Sequence, residues 1–146
     1  MNRYPPAGFS FWVSFEISNT PIDIAFQDVA GIAMELQTED VVEGGENRFT
    51  QKLPTRASYT PLVLKRGLAI QSPLTEWCRD AVENLSIKPT SIIVALLNEK
   101  KEPLIAYRFL NAYPLKWSIS NFNAESSTLV IESLELYYQY FKIINT

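Results

Sequence analysis

The 146-residue chain contains no histidine and a single cysteine, Cys78. Without histidine, Ser-His-Asp and Cys-His catalysis are excluded, and so are most zinc sites, which use imidazole as a ligand. One cysteine excludes an intramolecular disulfide. Cys78 falls within an apolar stripe, where a thiol is more often a small hydrophobic side chain than a nucleophile. The sequence therefore predicts a protein that is not an enzyme and that binds no metal or cofactor.

Long hydrophobic runs and a basic excess are also missing. No stretch approaches the roughly 18 apolar residues of a membrane span, and the N-terminal residues lack the apolar core of a signal peptide. We therefore expect a protein that is made in the cytoplasm and does not insert into a membrane. The net charge is −3, whereas a nucleic-acid-binding protein is expected to carry a basic stripe. Specific nucleic-acid binding is not expected.

The composition is that of an ordinary folded domain. Apolar residues make up 47% of the chain and charged residues 20%, values close to those of globular proteins. A chain of 146 residues fits one domain and is too short for two ordinary cores. Neither a repeat nor a linker is visible, so we predict a single domain over residues 1–146.

Period-two alternation predicts several strands. In the first run, Phe9 to Ser18, apolar and polar residues alternate, but Trp12 stands among the polar ones. A large aromatic side chain on an outer face is either a harmless exposed residue or part of a covered interface. A second strand is predicted from Ile24 and Phe26, with a bend at Gly31 and a continuation through Met34 and Leu36. Ile92 to Leu97 and Leu104 to Phe109 are predicted to pair as a hairpin. The remaining predicted strands are Tyr59 to Lys65, Ala112 to Ile119, and Leu129 to about Phe141, which is the longest.

One amphipathic helix is predicted from Ser72-Pro73 to about Asn84. Serine caps free backbone amides, and proline is tolerated at the first helical position. Its apolar stripe consists of Leu74, Trp77, Cys78, Ala81, Val82 and Leu85. About seven strands and one helix, without alternation of strands and helices, predict a mainly β fold: an antiparallel β-sandwich or barrel with one packed α-helix.

A long segment over about residues 38–58 shows no pattern of secondary structure. Loops of this length are usually functional or disordered, and we interpret this one as an extended arm that reaches a partner. The pattern of an EF-hand and that of a phosphate-binding loop are both absent. Its glycines permit a positive φ or a close backbone approach. The acidic, glycine-rich centre of the arm consists of Glu43, Gly44, Gly45, Glu46, Asn47, Arg48 and Phe49.

Two further places carry charged residues next to apolar ones. Lys65 and Arg66 end a predicted strand, where a basic pair is either a contact to a partner or a solvated or salt-bridged pair. Glu132 interrupts the apolar face of the last strand. A carboxylate among apolar neighbours lowers stability unless it is paired, so Glu132 either meets a basic group such as Lys116 or faces a solvated surface.

Several blocks of the chain resemble the tail-tube protein family, in the same order as in that family. They cover nearly the whole chain and are Phe26-Gln27-Asp28-Val29-Ala30-Gly31-Ile32, Glu43-Gly44-Gly45-Glu46-Asn47-Arg48-Phe49, Leu62-Val63-Leu64-Lys65-Arg66-Gly67, Leu74-Thr75-Glu76-Trp77, Asn111-Ala112-Tyr113-Pro114-Leu115-Lys116-Trp117 and Ile131-Glu132-Ser133-Leu134-Glu135-Leu136. Tyr107 departs from the pattern, because many relatives have tryptophan there.

The resemblance implies a structural subunit that forms a homohexameric ring and stacks into the hollow inner tube of a contractile injection system. It implies as partners adjacent tube rings, spike and baseplate proteins, a sheath and possible effector cargo in the lumen. Such a protein would be made in the bacterial cytoplasm and assembled into a virion-like or extracellular particle. The interface between subunits and rings is predicted to include Trp12, Glu43, Gly44, Gly45, Glu46, Asn47, Arg48, Phe49, Lys65 and Arg66.

The start of the chain narrows the expected role. Tyr4-Pro5-Pro6-Ala7-Gly8-Phe9 resembles the tube-initiator paralogue of extracellular injection systems, which lies near the baseplate. A main tube subunit shares nearly all the other motifs and stays open as an alternative. A secreted ring-forming effector carrier is a second alternative, and a small carboxylate enzyme is a third.

Overall fold

The computed structural model describes residues 10–17, 20–42, 50–68, 72–120 and 130–144. These residues form ten strands and one helix, which confirms the mainly β fold predicted from the sequence. The elements are β1 (Ser10–Ile17), β2 (Thr20–Phe26), β3 (Asp28–Ala30), β4 (Met34–Val42), β5 (Thr50–Tyr59), β6 (Leu62–Gly67), α1 (Pro73–Glu83), β7 (Thr90–Leu97), β8 (Pro103–Ile119), β9 (Ile131–Tyr137) and β10 (Tyr140–Ile144).

Eight strands form two antiparallel sheets that share one strand. The first sheet has the order β2-β1-β7-β8-β10, and the second has the order β8-β9-β6-β3. The shared strand β8 is 17 residues long. Its first half pairs with β7 and β10 and its second half with β9. Asn111, with φ of 54°, lies where β8 passes from one sheet into the other.

The far sides of the two sheets are joined by continuous chain. A single residue, Gln27, separates β2 in the first sheet from β3 in the second. The Gln27 amide donates a hydrogen bond to the Lys65 carbonyl oxygen at 2.9 Å, which continues the pairing of β3 with β6. The eight strands therefore curl into a barrel-like shell, with alternate side chains of every strand pointing inward.

The core fills this shell with aliphatic and aromatic side chains. Tyr59, Tyr138 and Phe141 make edge-to-face contacts, with the Tyr59 and Phe141 ring centroids 5.5 Å apart, a favoured aromatic arrangement. Phe109 joins this cluster, 4.7 Å from Tyr138. The largest fully buried side chains are Val13, Phe15, Leu62, Leu64, Leu74, Ile92, Val94, Phe109, Leu134 and Leu136.

Helix α1 packs against both sheets. Ser72 Oγ accepts a hydrogen bond from the Leu74 amide at 3.2 Å, so the predicted cap and helix are confirmed. Trp77 contacts Phe15 of the first sheet edge to face, with centroids 6.1 Å apart. The predicted apolar stripe holds through Ala81 and is wrong beyond it, because Val82 and Leu85 are exposed.

The structure corrects the prediction of an unstructured loop over residues 38–58. β4 and β5 pair along their whole described length as an antiparallel hairpin. The register shifts between Gln37 and Thr38, where Thr55 Oγ1 donates a hydrogen bond to the Gln37 carbonyl oxygen at 3.1 Å. The two-stranded ladder pairs the backbone amides and carbonyls on the facing edges of β4 and β5, which a bare loop would leave to water.

Four strand predictions were also wrong. The strands predicted at Leu104 to Phe109 and at Ala112 to Ile119 are one continuous strand, β8. The chain around Gly31 forms three strands, β2 to β4, and Tyr59 to Lys65 is divided between β5 and β6 at Thr60-Pro61. The segment predicted as the longest strand is divided between β9 and β10, and β8 is longer than either. Gly31 has φ of 90°, and a Cβ there would lie 2.0 Å from the Pro61 carbonyl oxygen. Glycine is therefore required at this crossing.

Candidate interaction surfaces

The β4–β5 hairpin exposes both of its faces. Every side chain from Met34 to Asp40 and from Gln51 to Ala57 is exposed to solvent. Core contacts from the hairpin are made near its base by Tyr59, which packs against Tyr138 and Phe141. A segment that buries so few of its own side chains is available to contact other molecules.

The two faces of this hairpin differ in polarity. Register pairs Met34 with Tyr59, Leu36 with Ala57 and Thr38 with Pro54, and directly paired residues share a face. We call Met34, Leu36, Pro54 and Ala57 the hairpin apolar face; Met34 is 59% exposed and Leu36 58%. Nearer the tip the same side carries the charged pair Asp40 and Lys52. The opposite face is mainly polar, with Glu35, Gln37, Glu39, Arg56 and Ser58, but it includes Val41 and the exposed Leu53.

Trp12 lies on the outer face of the first sheet and is 42% exposed. Its cross-strand partners are Ala25 in β2 and Ala95 in β7, whose methyl side chains are too short to cover an indole. The same row continues through Ala106 in β8 to Ile144 in β10. We call these five residues the alanine row, which crosses the first sheet from edge to edge.

Lys65 and Arg66 have different environments. Lys65 is exposed on the outer face of β6, so the interface role predicted for it stays a prediction. Arg66 points inward, where its Nε lies 2.8 Å from Glu132 Oε2, and the two side chains are 11% and 3% exposed. Its Nη2 donates a hydrogen bond to Ser72 Oγ at 3.2 Å, and its guanidinium lies 5.5 Å from the centre of the Phe26 ring.

Glu132 is therefore paired with a basic group, but the partner is Arg66 and not Lys116. Its other oxygen accepts hydrogen bonds from Trp117 Nε1 at 2.6 Å and Thr75 Oγ1 at 3.4 Å. These bonds connect β6, β8 and β9 with the first turn of α1. The buried polar cluster orients elements of this subunit, and among the described residues it leaves no buried side-chain nitrogen or oxygen unpaired.

The predicted centre of the arm lies outside the described residues. It comprises Glu43, Gly44, Gly45, Glu46, Asn47, Arg48 and Phe49. Their interface role stays a prediction, as does that of Trp12. The hairpin strands on both sides of this segment carry the described surface of the arm.

The described side chains offer little for chemistry. Burial, with the nearby Glu132 carboxylate, raises the pKa of the Cys78 thiol to about 12, so the reactive thiolate is scarce near neutral pH. Within the described ranges, no three His, Cys, Asp or Glu side chains are grouped to hold a metal ion. No described helix has the length and apolarity needed to cross a membrane. The notable features of this molecule are surfaces.

Comparison with known proteins identifies the family to which this chain belongs. The family model of the T4-like virus tail tube protein gp19 matches residues 7–142. The chain belongs to this tail tube family. The match covers both sheets, α1 and the hairpin of this tail tube protein, except for the last two residues of β10. No curated protein matches the sequence.

Solved structures agree with this assignment. A chain in the structure of the anti-feeding prophage baseplate is 29% identical, with a TM-score of 0.83 and coverage of 99% of this chain and 97% of that one. A chain in the PVC sheath-tube complex, an extracellular contractile injection system in its extended state, is 21% identical with a TM-score of 0.79, covering 99% and 94%. Hcp1 from Flavobacterium johnsoniae shares the fold at 15% identity, with a TM-score of 0.59, covering 92% and 94%.

Proposed function

We propose that this tail tube protein is a non-enzymatic structural subunit of the inner tube of a contractile injection system. In this proposal six copies form a ring, and the ring lies at the baseplate end and initiates the tube. The observation that carries the proposal is the family match over residues 7–142. Its partners would be copies of itself, adjacent rings, the spike and baseplate, and the sheath.

The free strand edges support ring formation. Within the described residues, β3 and the second half of β8 each pair on one side only, at opposite sides of the second sheet. Exposed edges favour pairing with another chain. Pairing two different edges is a head-to-tail contact, which forms a closed ring when the rotation between subunits completes a circle. Such a ring would pair these two edges, whereas β2 and β10 would remain edge strands of the first sheet.

The exposed hairpin supports contacts between rings. Contact with a neighbouring ring would remove the hairpin apolar face from water, which makes the free energy of association more favourable. Each such contact need not be strong, since several identical contacts act together when one ring meets the next. The baseplate position is supported by sequence identity, which is 29% to the baseplate chain and 21% to the sheath-tube chain.

The proposal is tested by mass measurement and electron microscopy of the purified protein over a concentration series. Six-fold rings that do not stack alone, and that stack when a purified spike complex and main tube subunits are added, would support the initiator role. Rings that stack alone into long tubes would identify a main tube subunit instead. A protein that stays monomeric at every concentration, with the spike complex present, would refute the ring proposal.

A further inference from the structure

The β4–β5 hairpin joins the rest of the subunit through two short segments, residues 31–33 and 60–61, which we call the neck. Within the described residues, β4 and β5 form a sheet of their own that shares no ladder with the other eight strands. The Thr60 amide donates a hydrogen bond to the Ala33 carbonyl oxygen at 3.5 Å, but this long bond only extends the ladder of the hairpin. Backbone pairing therefore does not fix the direction in which the hairpin leaves the barrel-like shell.

The neck is narrow, because its two segments cross in close contact. Gly31 has φ of 90°, and a Cβ there would lie 2.0 Å from the Pro61 carbonyl oxygen. Rigid elements turn relative to one another where a few residues between them absorb the change in φ and ψ. Without side chains that hold it, the hairpin would therefore be free to turn as a unit at the neck.

One buried side chain contacts the hairpin attachment on both sides. Tyr138, which is 3% exposed, lies between β9 and β10. Its hydroxyl donates a hydrogen bond to the Gly31 carbonyl oxygen at 3.4 Å, and its ring meets the Tyr59 ring edge to face, with centroids 5.8 Å apart. Gly31 lies on the chain that enters the hairpin and Tyr59 on the chain that leaves it, so Tyr138 contacts both.

We infer that Tyr138 is a positioning residue that fixes the direction of the β4–β5 hairpin before subunits assemble. If the hairpin turned at the neck, the Gly31 carbonyl would move away from the Tyr138 hydroxyl. A buried donor without an acceptor is costly in free energy. The same turn would separate the rings of Tyr59 and Tyr138, which lose a favoured aromatic contact. Both effects oppose turning and favour one direction.

The Tyr138 side chain is itself firmly held. Its ring lies 4.7 Å from that of Phe109 and 6.1 Å from that of Phe141, measured between centroids, so packing restricts its rotamer. Ile32 in the neck also packs against the core. An apolar contact of that kind is not directional, whereas a hydrogen bond weakens steeply when donor and acceptor are misaligned. Direction is therefore assigned to Tyr138.

A fixed direction matters for assembly. A hairpin that already points toward its partner does not have to be ordered on contact, and binding surfaces that are preorganised in this way associate more tightly. This consequence rests on the proposed ring. The direction itself is a property of the single subunit, so it can be measured without any ring.

Two matched tyrosine variants test the inference. Tyr138→Phe removes the hydroxyl and keeps the ring. Tyr107→Phe makes the same chemical change on β8, at a ring that contacts Phe141 with centroids 5.9 Å apart. The described hydrogen bonds of the neck involve Tyr138 and not Tyr107, so Tyr107→Phe is the control.

The direction of the hairpin is measured by double electron–electron resonance between spin labels in monomeric protein. Glu39→Cys carries one label on the hairpin and Glu16→Cys carries the other on β1, and both positions are exposed. Native Cys78 is buried and its thiol pKa is about 12, so it should react little near neutral pH. The wild-type background should give one narrow distance distribution.

Tyr138→Phe should raise the fraction of the distribution outside the wild-type peak about fivefold, the population change that corresponds to one hydrogen bond of about 1 kcal/mol. Tyr107→Phe should keep the wild-type distribution. Equal distributions for Tyr138→Phe and wild type would overturn the inference. Faster hydrogen exchange of the β4 and β5 amides in Tyr138→Phe would also overturn it, because the hairpin would then be unfolding and not turning.

Thermal unfolding separates positioning from a purely structural role. A lower Tm for Tyr138→Phe with an unchanged distance distribution would mean that Tyr138 only stabilises the fold, which would refute the inference. Should Tyr138→Phe not fold, Tyr59→Leu removes the ring contact from the hairpin side and should widen the distribution, and an unchanged width would count against the inference. Wild-type protein that forms no ring would refute the proposed ring alone, since the distances are measured in monomers.

Discussion

Replacing Glu132 by glutamine should destabilise the subunit strongly, although the side chain keeps its size. Glutamine retains an oxygen that accepts the Trp117 Nε1 hydrogen bond, but it removes the charge that faces Arg66 at 2.8 Å. The Arg66 side chain is only 11% exposed, so its charge would be left largely unpaired in the interior. Removing one partner of a buried ion pair costs about 3–5 kcal/mol.

The effect is measurable by urea or thermal unfolding followed by tryptophan fluorescence. For a chain of this size, each kcal/mol corresponds to roughly 2–4 °C in Tm, so a decrease of roughly 6–20 °C is expected. The measurement should be made at a concentration where wild type and variant are both monomeric, because assembly raises apparent stability.

The matched control is the double variant Arg66→Met with Glu132→Gln. It removes both charges and keeps the acceptor for Trp117, and replacing a buried ion pair by uncharged side chains of similar volume is often close to neutral. We expect the double variant to recover most of the lost stability. A loss of under about 1 kcal/mol for Glu132→Gln, well below the range for a broken buried ion pair, would refute the reasoning. So would a double variant as unstable as the single one.

Three further predictions concern the backbone, the thiol and the hairpin. Gly31→Ala should lower the free energy of unfolding by at least about 2 kcal/mol, because a positive φ and a clash with the Pro61 carbonyl coincide; a denaturation midpoint equal to that of wild type would contradict this. Burial raises the pKa of the Cys78 thiol to about 12, so on raising the pH the unfolded chain loses this proton before the folded chain does, and the thiol's contribution to stability should fall above about pH 9. The urea midpoint of Cys78→Ala should therefore decline less steeply with pH than that of wild type over this range. Parallel plots of urea midpoint against pH would contradict the assignment. Leu36→Asp on the hairpin apolar face should prevent stacking of rings with little change in Tm. Rings of the control variant Leu53→Asp, on the opposite face, should stack more nearly as wild-type rings do. Normal tubes of Leu36→Asp in electron micrographs would contradict the proposed contact.

The elements predicted well are those whose signals are local. The start of α1 depends on Ser72 and Pro73, which are adjacent in sequence. The β7–β8 hairpin depends on two mainly apolar runs on either side of the charged turn at residues 98–103. The β4–β5 hairpin was missed beyond Leu36, because residues on both of its faces are exposed there and the period-two pattern of apolar residues that predicted the start of β4 does not continue. Its strands are held by backbone pairing, which side-chain polarity does not reveal.

For contacts between residues distant in sequence, the need for a partner could be predicted, but the residue that provides it could not. The need for a partner to Glu132 follows from its apolar neighbours, but the choice of Arg66 depends on the register of β6 with β9, which places these two residues directly opposite each other. Lys116 instead lies opposite Glu135 on the outer face. The division between β9 and β10 was missed for a similar reason, since the apolar alternation continues across Tyr138 and shows no interruption.

The shared strand β8 has a mechanical consequence. Its 17 residues have a contour length on the order of 55 Å at about 3.3 Å per residue, and the same covalent backbone belongs to both layers of the subunit. Sliding one layer past the other would require this strand to bend or to break its ladders with β7 and β9 together. We therefore expect each subunit to behave as a stiff block under axial load, so that a tube built from it would flex at the joints between blocks.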